Sequence, residues 1–330
     1  MTPEARLRPG RDDDAERFIA LIGGCWAEYP GCVMDIDGEV PELRALATYY
    51  ANHGGALWVA GDISGMVAAR PLADGDWELC KMYVAPAQRG SGLAQALVAT
   101  VEAHARAEGA RRLRLWTDTR FDRAHRFYEQ QSFVRAGPLR ALDDRSRSIE
   151  FAYAKPLTGT VVERLDAAAA VSAEARLAQV LAACVDTGAS VSFLPPLGRE
   201  AARAYWRGVS RAVAAGTRVL LAAWHDGVLA GTAMLDLDTS PNQPHHAGLQ
   251  KLLVAPTARR RGMAQALLQA IEAAARTAGR TLLTLDTREG DDGEALYRRL
   301  GWQYAGRIPD FSLNGAGTYD ATLLFYKQLA

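Results

Sequence analysis

The stretch VAPAQRGSGLAQALVATVEAHA, Val84–Ala105, decides how the rest of the sequence is interpreted. It begins at the end of an apolar segment, passes through a basic glycine-rich turn and continues as an amphipathic helical pattern. It recurs 170 positions later as VAPTARRRGMAQALLQAIEAAA, Val254–Ala275. Without gaps, residues 84–117 and 254–287 are identical at 17 of 34 positions. Identity this dense over one strand–turn–helix unit indicates an internal duplication.

The turn has the properties of a phosphate site. Gly90 and Gly92 leave the backbone bare, and the following helix directs its unpaired N–H groups and positive dipole end toward the turn. Arg89 adds positive charge in the first copy, as do the three arginines 259–261 in the second. The Gly-Lys-Ser/Thr ending of a Walker A loop and the Gly-x-Gly-x-x-Gly dinucleotide spacing are both missing from the sequence. We therefore expect a pyrophosphate-binding turn of another kind, with a simple helix-capping turn as the alternative.

The spacing Arg89-x-x-Gly92-x-Ala94 resembles motif A of the GCN5-related N-acetyltransferases (GNAT), and Arg259-x-x-Gly262-x-Ala264 repeats it. The resemblance implies that each turn holds the pyrophosphate of acetyl-coenzyme A. The coenzyme-binding residues that it implies are Met82, Tyr83, Val84, Arg89, Gly90, Ser91, Gly92, Leu93 and Ala94 in the first copy, and Leu252, Leu253, Val254, Arg259, Arg260, Arg261, Gly262, Met263 and Ala264 in the second.

The same resemblance implies two catalytic residues in the first half. Glu78, on the strand that leads into the motif, would accept the proton of a substrate ammonium; the alternative is a solvated strand carboxylate. Tyr128, in the segment AHRFYEQQSF of residues 124–133, would donate a proton to the departing coenzyme A sulfur. The alternative is a buried ring with a satisfied hydroxyl.

Asp35 and Asp37, with Glu39 beyond them, lie in the loop expected to shape the acceptor pocket. They are candidates for binding a cationic substrate, and the alternative is that they are solvated.

The second half has a tyrosine but lacks the strand carboxylate. Tyr297 occupies the tyrosine position, whereas the counterpart of Glu78 is Gly248. The segments at residues 241–254 and 285–287 and the chain end resemble the tabtoxin-resistance type of acetyltransferase. Three interpretations follow: Asp286 or His245 substitutes as the base, the substrate needs no base, or this half is a non-catalytic partner that binds coenzyme A or packs as a scaffold.

Length and element order predict two tandem domains, residues 1–156 and 160–330, joined by a short Pro- and Gly-containing linker. Each would be an α/β domain with a mixed sheet in the order β-αα-βββ-α-β-α-ββ, which is that of the GNAT fold. The net charge of zero favours neither a nucleic-acid nor a membrane partner. Four scattered cysteines suit a reducing cytoplasm, and no metal site is expected. The two halves could form a pseudo-dimer within a monomeric protein, or the chain could form a homodimer.

These features predict an enzyme that transfers acetyl from acetyl-coenzyme A directly to a primary amine of a small molecule, such as a metabolite, an amino acid or an antibiotic-like amine. A protein amine is the less favoured acceptor. There are two rival functions. In one, the first half is catalytic and the second half is not; in the other, the protein is an acyl-coenzyme A sensor without turnover.

Overall fold

The computed structural model describes residues 7–329, and the chain divides into two compact units at the junction between Thr158 and Gly159. Part of the predicted opening strand, residues 5 and 6, lies outside the described residues. The described part begins the first strand at Leu7.

The first unit contains eight strands, four α-helices and three short 3-10 helices within the described residues. The strands are β1 (Leu7–Pro9), β2 (Ala56–Ala60), β3 (Gly65–Pro71), β4 (Trp77–Val84), β5 (Arg112–Asp118), β6 (Val134–Arg135), β7 (Arg140–Ala141) and β8 (Ile149–Pro156). The helices are α1 (Ala15–Trp26), α2 (Leu46–Asn52), α3 (Leu93–Ala107) and α4 (Asp122–Gln130).

The second unit contains seven strands, four α-helices and one short 3-10 helix within the described residues. The strands are β9 (Thr160–Leu165), β10 (Arg218–His225), β11 (Val228–Asp236), β12 (His246–Val254), β13 (Leu282–Arg288), β14 (Gln303–Leu313) and β15 (Tyr319–Gln328). The helices are α5 (Ala167–Asp186), α6 (Arg199–Ala214), α7 (Met263–Thr277) and α8 (Asp292–Arg299).

Both units have the same sheet topology. The first sheet runs β1-β2-β3-β4-β5-β8-β6, with β7 on β8, and the second runs β9-β10-β11-β12-β13-β15-β14. In each sheet one central pair is parallel, β4 with β5 and β12 with β13, and the other pairs are antiparallel. The motif helix, α3 or α7, is the crossover that a parallel pair requires.

Strand alternation divides the core of the first unit between the two faces of its sheet. Met66 and Ala68 pack with Phe18 of α1 and Leu46 of α2 on one face. The intervening Val67 and Ala69, together with Leu97 of α3, belong to the cluster on the other face. The sheet is therefore covered by helices on both faces.

The element boundaries predicted from the sequence pattern differ from those of the structure. The pattern predicts that the first helix ends near Gly23, but α1 continues to Trp26, so that Cys25 is helical rather than part of the loop. It also predicts a strand over residues 133–138, but β6 is only two residues long, because Gly137 adopts a φ of 95° just beyond it. The strand before the second motif is predicted to begin at Leu249, and β12 begins three residues earlier, at His246.

Helix α5 is, by length and composition, the one candidate membrane span among residues 7–329. Its most apolar 18-residue window is 56% buried, and α5 packs on α6 and β11. A core helix of a soluble domain has these same properties, so the helix is weak evidence for a membrane span.

Gly55 provides a test of the packing at the start of β2. A Cβ on Gly55 would lie 2.2 Å from the backbone oxygen of Ala69 and 3.1 Å from Cα of Arg70. We expect Gly55→Ala to lower the free energy of unfolding of the first unit by about 1–3 kcal/mol, because backbone atoms must shift. Calorimetric unfolding of the full chain measures this.

Gly24→Ala is the matched control, because Gly24 is an exposed helical residue with no heavy atom within 4 Å of its Cβ position. That substitution should stabilise the unit by up to about 1 kcal/mol. Equal stability of the Gly55→Ala variant and the parent would contradict the packing described.

Candidate active site

The parallel strands β4 and β5 separate after only two paired residues. Trp77 pairs with Leu113 and Glu78 with Arg114, and β4 then leaves its neighbour. The register between β3 and β4 also shifts opposite Lys81, whose φ is 46°. Such a bulge bends the strand and re-aims its backbone. The edge of β4 beyond Glu78 therefore has no β5 partner, and its N–H and C=O groups can pair with an extended ligand.

The second unit repeats this geometry. Strands β12 and β13 pair over three residues, the last pair being Gly248 and Thr284, before they separate. The register between β11 and β12 shifts opposite Lys251, whose φ is 50°. The strand separation is thus repeated in the two units, as the sequence motif is.

The glycine turn follows the separated strand in each unit. Gly92 begins α3 with a φ of 93°, and Gly262 begins α7 with a φ of 78°. No heavy atom lies within 4 Å of the Cβ position of either glycine, so the space in front of each helix is open. Gly90 also adopts a positive φ, of 81°, whereas the second copy places Arg260 there at 63°. We call residues 89–94 the first cradle and residues 259–264 the second cradle.

A cavity of about 390 Å³ occupies the gap between β4 and β5. Met82, Tyr83 and Val84 line it together with Arg89, Gly90 and Ala94, whereas Ser91, Gly92 and Leu93 are not among its lining residues. Tyr128 of α4 lines the same cavity and is 6% exposed. Its hydroxyl has no hydrogen-bond partner among the residues that the structure describes. Burial raises the pKa of Tyr128 above its ordinary value, so this free hydroxyl stays protonated and can donate.

The corresponding cavity of the second unit is larger, about 870 Å³. Of the predicted coenzyme-binding residues of this copy, all but Arg261 line it: Leu252, Leu253, Val254, Arg259, Arg260, Gly262, Met263 and Ala264. Tyr297 of α8 lines it as well, 7% exposed, and burial raises its pKa. Asp286 lines the cavity too and is exposed.

The tyrosines occupy equivalent local structures. The backbone N–H of Phe133 donates to the carbonyl of Tyr128 at 3.1 Å, and that of Trp302 to the carbonyl of Tyr297 at 3.0 Å. Each tyrosine ring also packs edge-on against that following aromatic ring. Ser132 holds the turn between the first pair at a φ of 69°, where the second unit has Gly301 at 81°.

The profile of the acetyltransferase (GNAT) family matches residues 20–133 and again residues 190–302. The two matches together cover more than half of the chain. The chain belongs to the GNAT acetyltransferase family. The family resemblance expected from the sequence and the fold of two mixed-sheet halves are therefore confirmed, whereas the tabtoxin-resistance resemblance stays a prediction.

Two curated relatives illustrate the similarity. An uncharacterised N-acetyltransferase from the hisH–hisA intergenic region of Azospirillum brasilense is 38% identical over 107 residues, which is 32% of this chain and 62% of the relative. N-acetyltransferase 8F1 of Rattus norvegicus is 32% identical over 129 residues, which is 37% of this chain and 55% of the relative. The chain thus spans less than two thirds of the length of these relatives.

Solved structures of acetyltransferases also resemble part of the chain. A putative acetyltransferase of Salmonella typhimurium, yncA with its cofactor acetyl-CoA, has a TM-score of 0.44 at 16% identity and covers 52% of this chain and 95% of its own. A ribosomal-protein-alanine N-acetyltransferase of Brucella melitensis has a TM-score of 0.44 at 18% identity and covers 51% and 99%.

Glu78 lies beside the first cavity but is not among its lining residues. It is 8% exposed, and Arg70 on the neighbouring strand donates to its Oε2 at 2.7 Å from Nε and 2.6 Å from a terminal nitrogen. The second unit has Gly248 at this position, and the residue across from it on β11 is Asp236. Asp236 accepts hydrogen bonds from Arg218 and Gln250, both at 3.0 Å. The carboxylate has therefore moved from the central strand to its neighbour.

Asp35 and Asp37 do not line the first cavity. Asp35 accepts a hydrogen bond from the Gly38 N–H at 3.0 Å and pairs with Arg145 at 3.1 Å, while Glu39 accepts from the Arg145 N–H at 2.6 Å. Asp37 is exposed and pairs with Arg44. Asp35 and Glu39 thus fasten the loop before α2 to the loop around Arg145, which contributes lining residues.

Three carboxylates that line the first cavity were not identified from the sequence: Asp118, Asp144 and Glu150. Asp118 is 6% exposed and paired with Arg120 at 2.5 Å, and Glu150 pairs with Arg140 at 2.5 Å. Asp144 accepts from the Ser148 N–H at 2.7 Å. They lie at the end of β5, at the start of β8 and on the loop before β8, regions that no motif marks.

The two cradles differ in the neighbours of their arginines. In the first, Arg89 donates to both carboxylate oxygens of Glu28, at 2.5 and 2.7 Å, and this pairing lowers the pKa of Glu28. The thiols of Cys25 and Cys184 donate to the carbonyls that end β4 and β12, at 3.7 and 3.4 Å, so these cysteines are equivalent. Three residues beyond them the first unit has Glu28 and the second has Thr187, which lines the second cavity.

This difference generates a reciprocal test. Because a carboxylate competes with phosphate for Arg89, Glu28→Thr should tighten binding of acetyl-coenzyme A at the first cradle by about two- to fivefold, the range expected for an exposed ion pair. Thr187→Glu should weaken binding at the second cradle to a similar extent. Titration calorimetry at low salt, where the effect is less screened, measures both changes.

Thr187→Gln is the matched control, because it adds similar bulk without charge. Unchanged affinity in both exchange variants would show that Glu28 does not compete with the ligand.

Proposed function

We propose that the protein is an acetyl-coenzyme A-dependent N-acetyltransferase with one coenzyme site in each half, and that the first half acetylates a primary amine of a small molecule. The observation that carries the proposal is the repeated combination of a separated strand pair, a glycine turn at a helix start and a buried tyrosine on the cavity between them. Family membership supports the reaction class, and the acceptor is argued from the first cavity.

The cradles suit the pyrophosphate of the coenzyme. Both helix starts have open space in front of a left-handed glycine, so phosphate oxygens can approach the backbone N–H groups. Beyond the cradle, the unpaired edges of β4 and β12 offer hydrogen bonds to the amides of the pantetheine arm. The thioester would then lie near the strand separation, where a backbone N–H polarises its carbonyl.

Two proton transfers accompany the reaction. The amine must lose a proton before it attacks, since a primary amine is almost fully protonated at neutral pH. In the first half Glu78 remains our candidate acceptor, through a water molecule, because its ion pair with Arg70 holds its carboxylate next to Leu79 and Cys80, which line the cavity. The departing thiolate gains a proton from Tyr128, whose raised pKa keeps it a donor.

The acceptor end of the first cavity favours a cationic molecule with an apolar body. The carboxylates Asp118, Asp144 and Glu150 line it, and Trp26 and Trp116 also contribute to its surface. An ammonium group is stabilised by carboxylates and by aromatic faces alike. The coenzyme arm would occupy part of this cavity of about 390 Å³, and the remaining space suits a small molecule better than a protein segment.

In the second half, Asp286 is our candidate for the proton acceptor. It lines the cavity together with Tyr297. Burial is the main cause of the raised pKa of Tyr297, and the Asp286 carboxylate adds to it. Asp236, across from Gly248, is held by Arg218 and Gln250 and is outside the cavity lining. The second half therefore has a coenzyme cradle, a tyrosine and three carboxylates on its cavity, Asp286, Asp291 and Asp292, of which Asp291 is paired with Arg288.

Calorimetry with acetyl-coenzyme A tests the two coenzyme sites. We expect a stoichiometry of two for the parent and of one for Gly92→Glu and for Gly262→Glu, because each places a carboxylate where the pyrophosphate binds. Gly92→Ala and Gly262→Ala are the controls, since they carry the same left-handed strain without the charge. A parent stoichiometry of one, lost in Gly92→Glu and kept in Gly262→Glu, would mean that the second half is a scaffold.

Removal of each tyrosine hydroxyl tests the chemistry. Tyr128→Phe should lower kcat for thiol release with a panel of small amines by about 100-fold or more, with little change in the KM for acetyl-coenzyme A, because only proton donation is lost. Tyr297→Phe does the same for turnover by the second half, measured in the Gly92→Glu background. Coenzyme binding by both halves without thiol release from any amine would instead favour an acyl-coenzyme A sensor.

A further inference from the structure

Lysine is rare in this chain, and its positions follow the duplication. Of 38 lysine and arginine residues only four are lysines, at positions 81, 155, 251 and 327. Lys81 and Lys251 occupy the bulges of β4 and β12, with φ values of 46° and 50°. Lys155 and Lys327 lie on β8 and β15, which are equivalent strands. Each half thus has one bulge lysine and one strand lysine, although arginine supplies nearly all other positive charge.

Three of these lysines are held by glutamates. Lys155 pairs with Glu102, Lys327 with Glu272 at 2.6 Å, and Lys81 with Glu42 at 3.1 Å. A carboxylate at this distance holds the amine in an ion pair. Each of these lysines must leave its carboxylate before the amine can attack another group.

Lys251 is the exception. Within residues 7–329 no carboxylate lies within 4 Å of its Nζ, which donates only to Ser192 Oγ at 3.3 Å. The rings of Phe193 and Tyr205 lie 5.8 and 5.5 Å from the Nζ. The residue is half-buried and lines the second cavity, together with Tyr297 and the second cradle.

The surroundings of Lys251 lower the pKa of its side chain below that of an ordinary lysine. Burial lowers its pKa, the Asp286 carboxylate raises it, and the Arg218 guanidinium lowers it, with a net decrease. The aromatic rings attract the ammonium form and act in the same direction as Asp286. Arginine at this position would stay charged, so a lysine is the basic residue that can become a nucleophile here.

We propose that Lys251 is a self-acetylation site of the second half, with bound acetyl-coenzyme A as the acetyl donor. The proposal rests on the proposed coenzyme site in that half. The neutral Nζ attacks the thioester carbonyl carbon, an N–C bond forms and the C–S bond breaks. The amine loses one proton, and the departing thiolate gains one, so the products are an N-acetyllysine and coenzyme A. The modification replaces a positive charge beside Asp286 with a neutral amide.

Incubation of the full-length protein with deuterated acetyl-coenzyme A, followed by digestion and mass spectrometry, tests the proposal. The isotope separates new acetyl groups from any acquired in the expression host. We expect deuterated acetyl on Lys251 at an occupancy at least about tenfold above that on Lys81, Lys155 or Lys327, because a bound donor reacts at high effective concentration. Occupancy should saturate with donor concentration.

Variants of the cradles separate site-directed from random acetylation. Gly262→Glu should reduce Lys251 acetylation about tenfold or more by removing the bound donor, whereas Gly92→Glu should leave it unchanged. Acetic anhydride should label Lys251 equally in both variants and the parent, which verifies that the lysine stays accessible and the fold intact.

Exchange of the carboxylates tests why Lys251 differs from Lys81. Ser192→Asp places a carboxylate beside Nζ and should suppress acetylation, and Ser192→Asn is its uncharged control. Glu42→Gln releases Lys81 and should raise its acetylation by bound donor.

Three results would overturn the proposal. One is unmodified Lys251 in protein that calorimetry shows to bind coenzyme at the second cradle, which would leave the proposed function standing. Another is an absence of coenzyme binding at the second cradle, which would remove both the donor for Lys251 and the second coenzyme site. Equal labelling of all four lysines, independent of Gly262→Glu, would likewise show only random chemistry.

Discussion

The separation of the central parallel strands is the constraint on which the candidate sites depend. A continuous ladder between β4 and β5 would satisfy every backbone group and fill the gap that now forms the first cavity. The bulge opposite Lys81 bends β4 away, and the bulge at Lys251 does the same for β12. Hydrogen-bonding groups left without a strand partner in this way stay available to a ligand. The glycine turn lies at the end of the same strand, so the cradle and the gap form one continuous surface.

The duplication has kept this backbone frame and changed the charges around it. The first unit has the ion pair Arg70–Glu78 across β3 and β4. At the equivalent positions the second unit has Asp236 opposite Gly248, and Asp236 pairs instead with Arg218 of β10. Glu28, which pairs with Arg89, has become Thr187. These differences change the side chains and leave the strand pairing of the two units the same. The two halves thus offer ligands the same backbone arrangement, with different charged residues around it.

The sequence predicted the parts of this structure that are local. The glycine turns, the helix after each and the tyrosine segments are continuous stretches whose residue types decide their conformation, and Tyr128 and Tyr297 both line the cavities. The features that could not be predicted from the sequence depend on contacts between segments that are far apart in the chain. Glu28 meets Arg89 across 61 positions, and Asp35 meets Arg145 across 110. Asp35 and Asp37 were chosen as loop carboxylates, but the folded loop directs Asp35 to an arginine, and neither residue lines the first cavity. One signal was available: the equal spacing of Lys81 and Lys251 within the repeat.

The contrast between the two cavities argues that the halves have different ligand preferences rather than duplicate ones. The first is small and has its cradle arginine paired with Glu28. The second is more than twice as large, has Arg259 and Arg260 on its lining and carries Lys251 without a carboxylate partner among the described residues. Where the cradle arginines have no carboxylate partner among the described residues, phosphate has no internal anion to displace, whereas the first half must break the Arg89–Glu28 pair. Coenzyme binding should therefore begin in the second half at low concentrations, and the first half should respond only as the concentration rises.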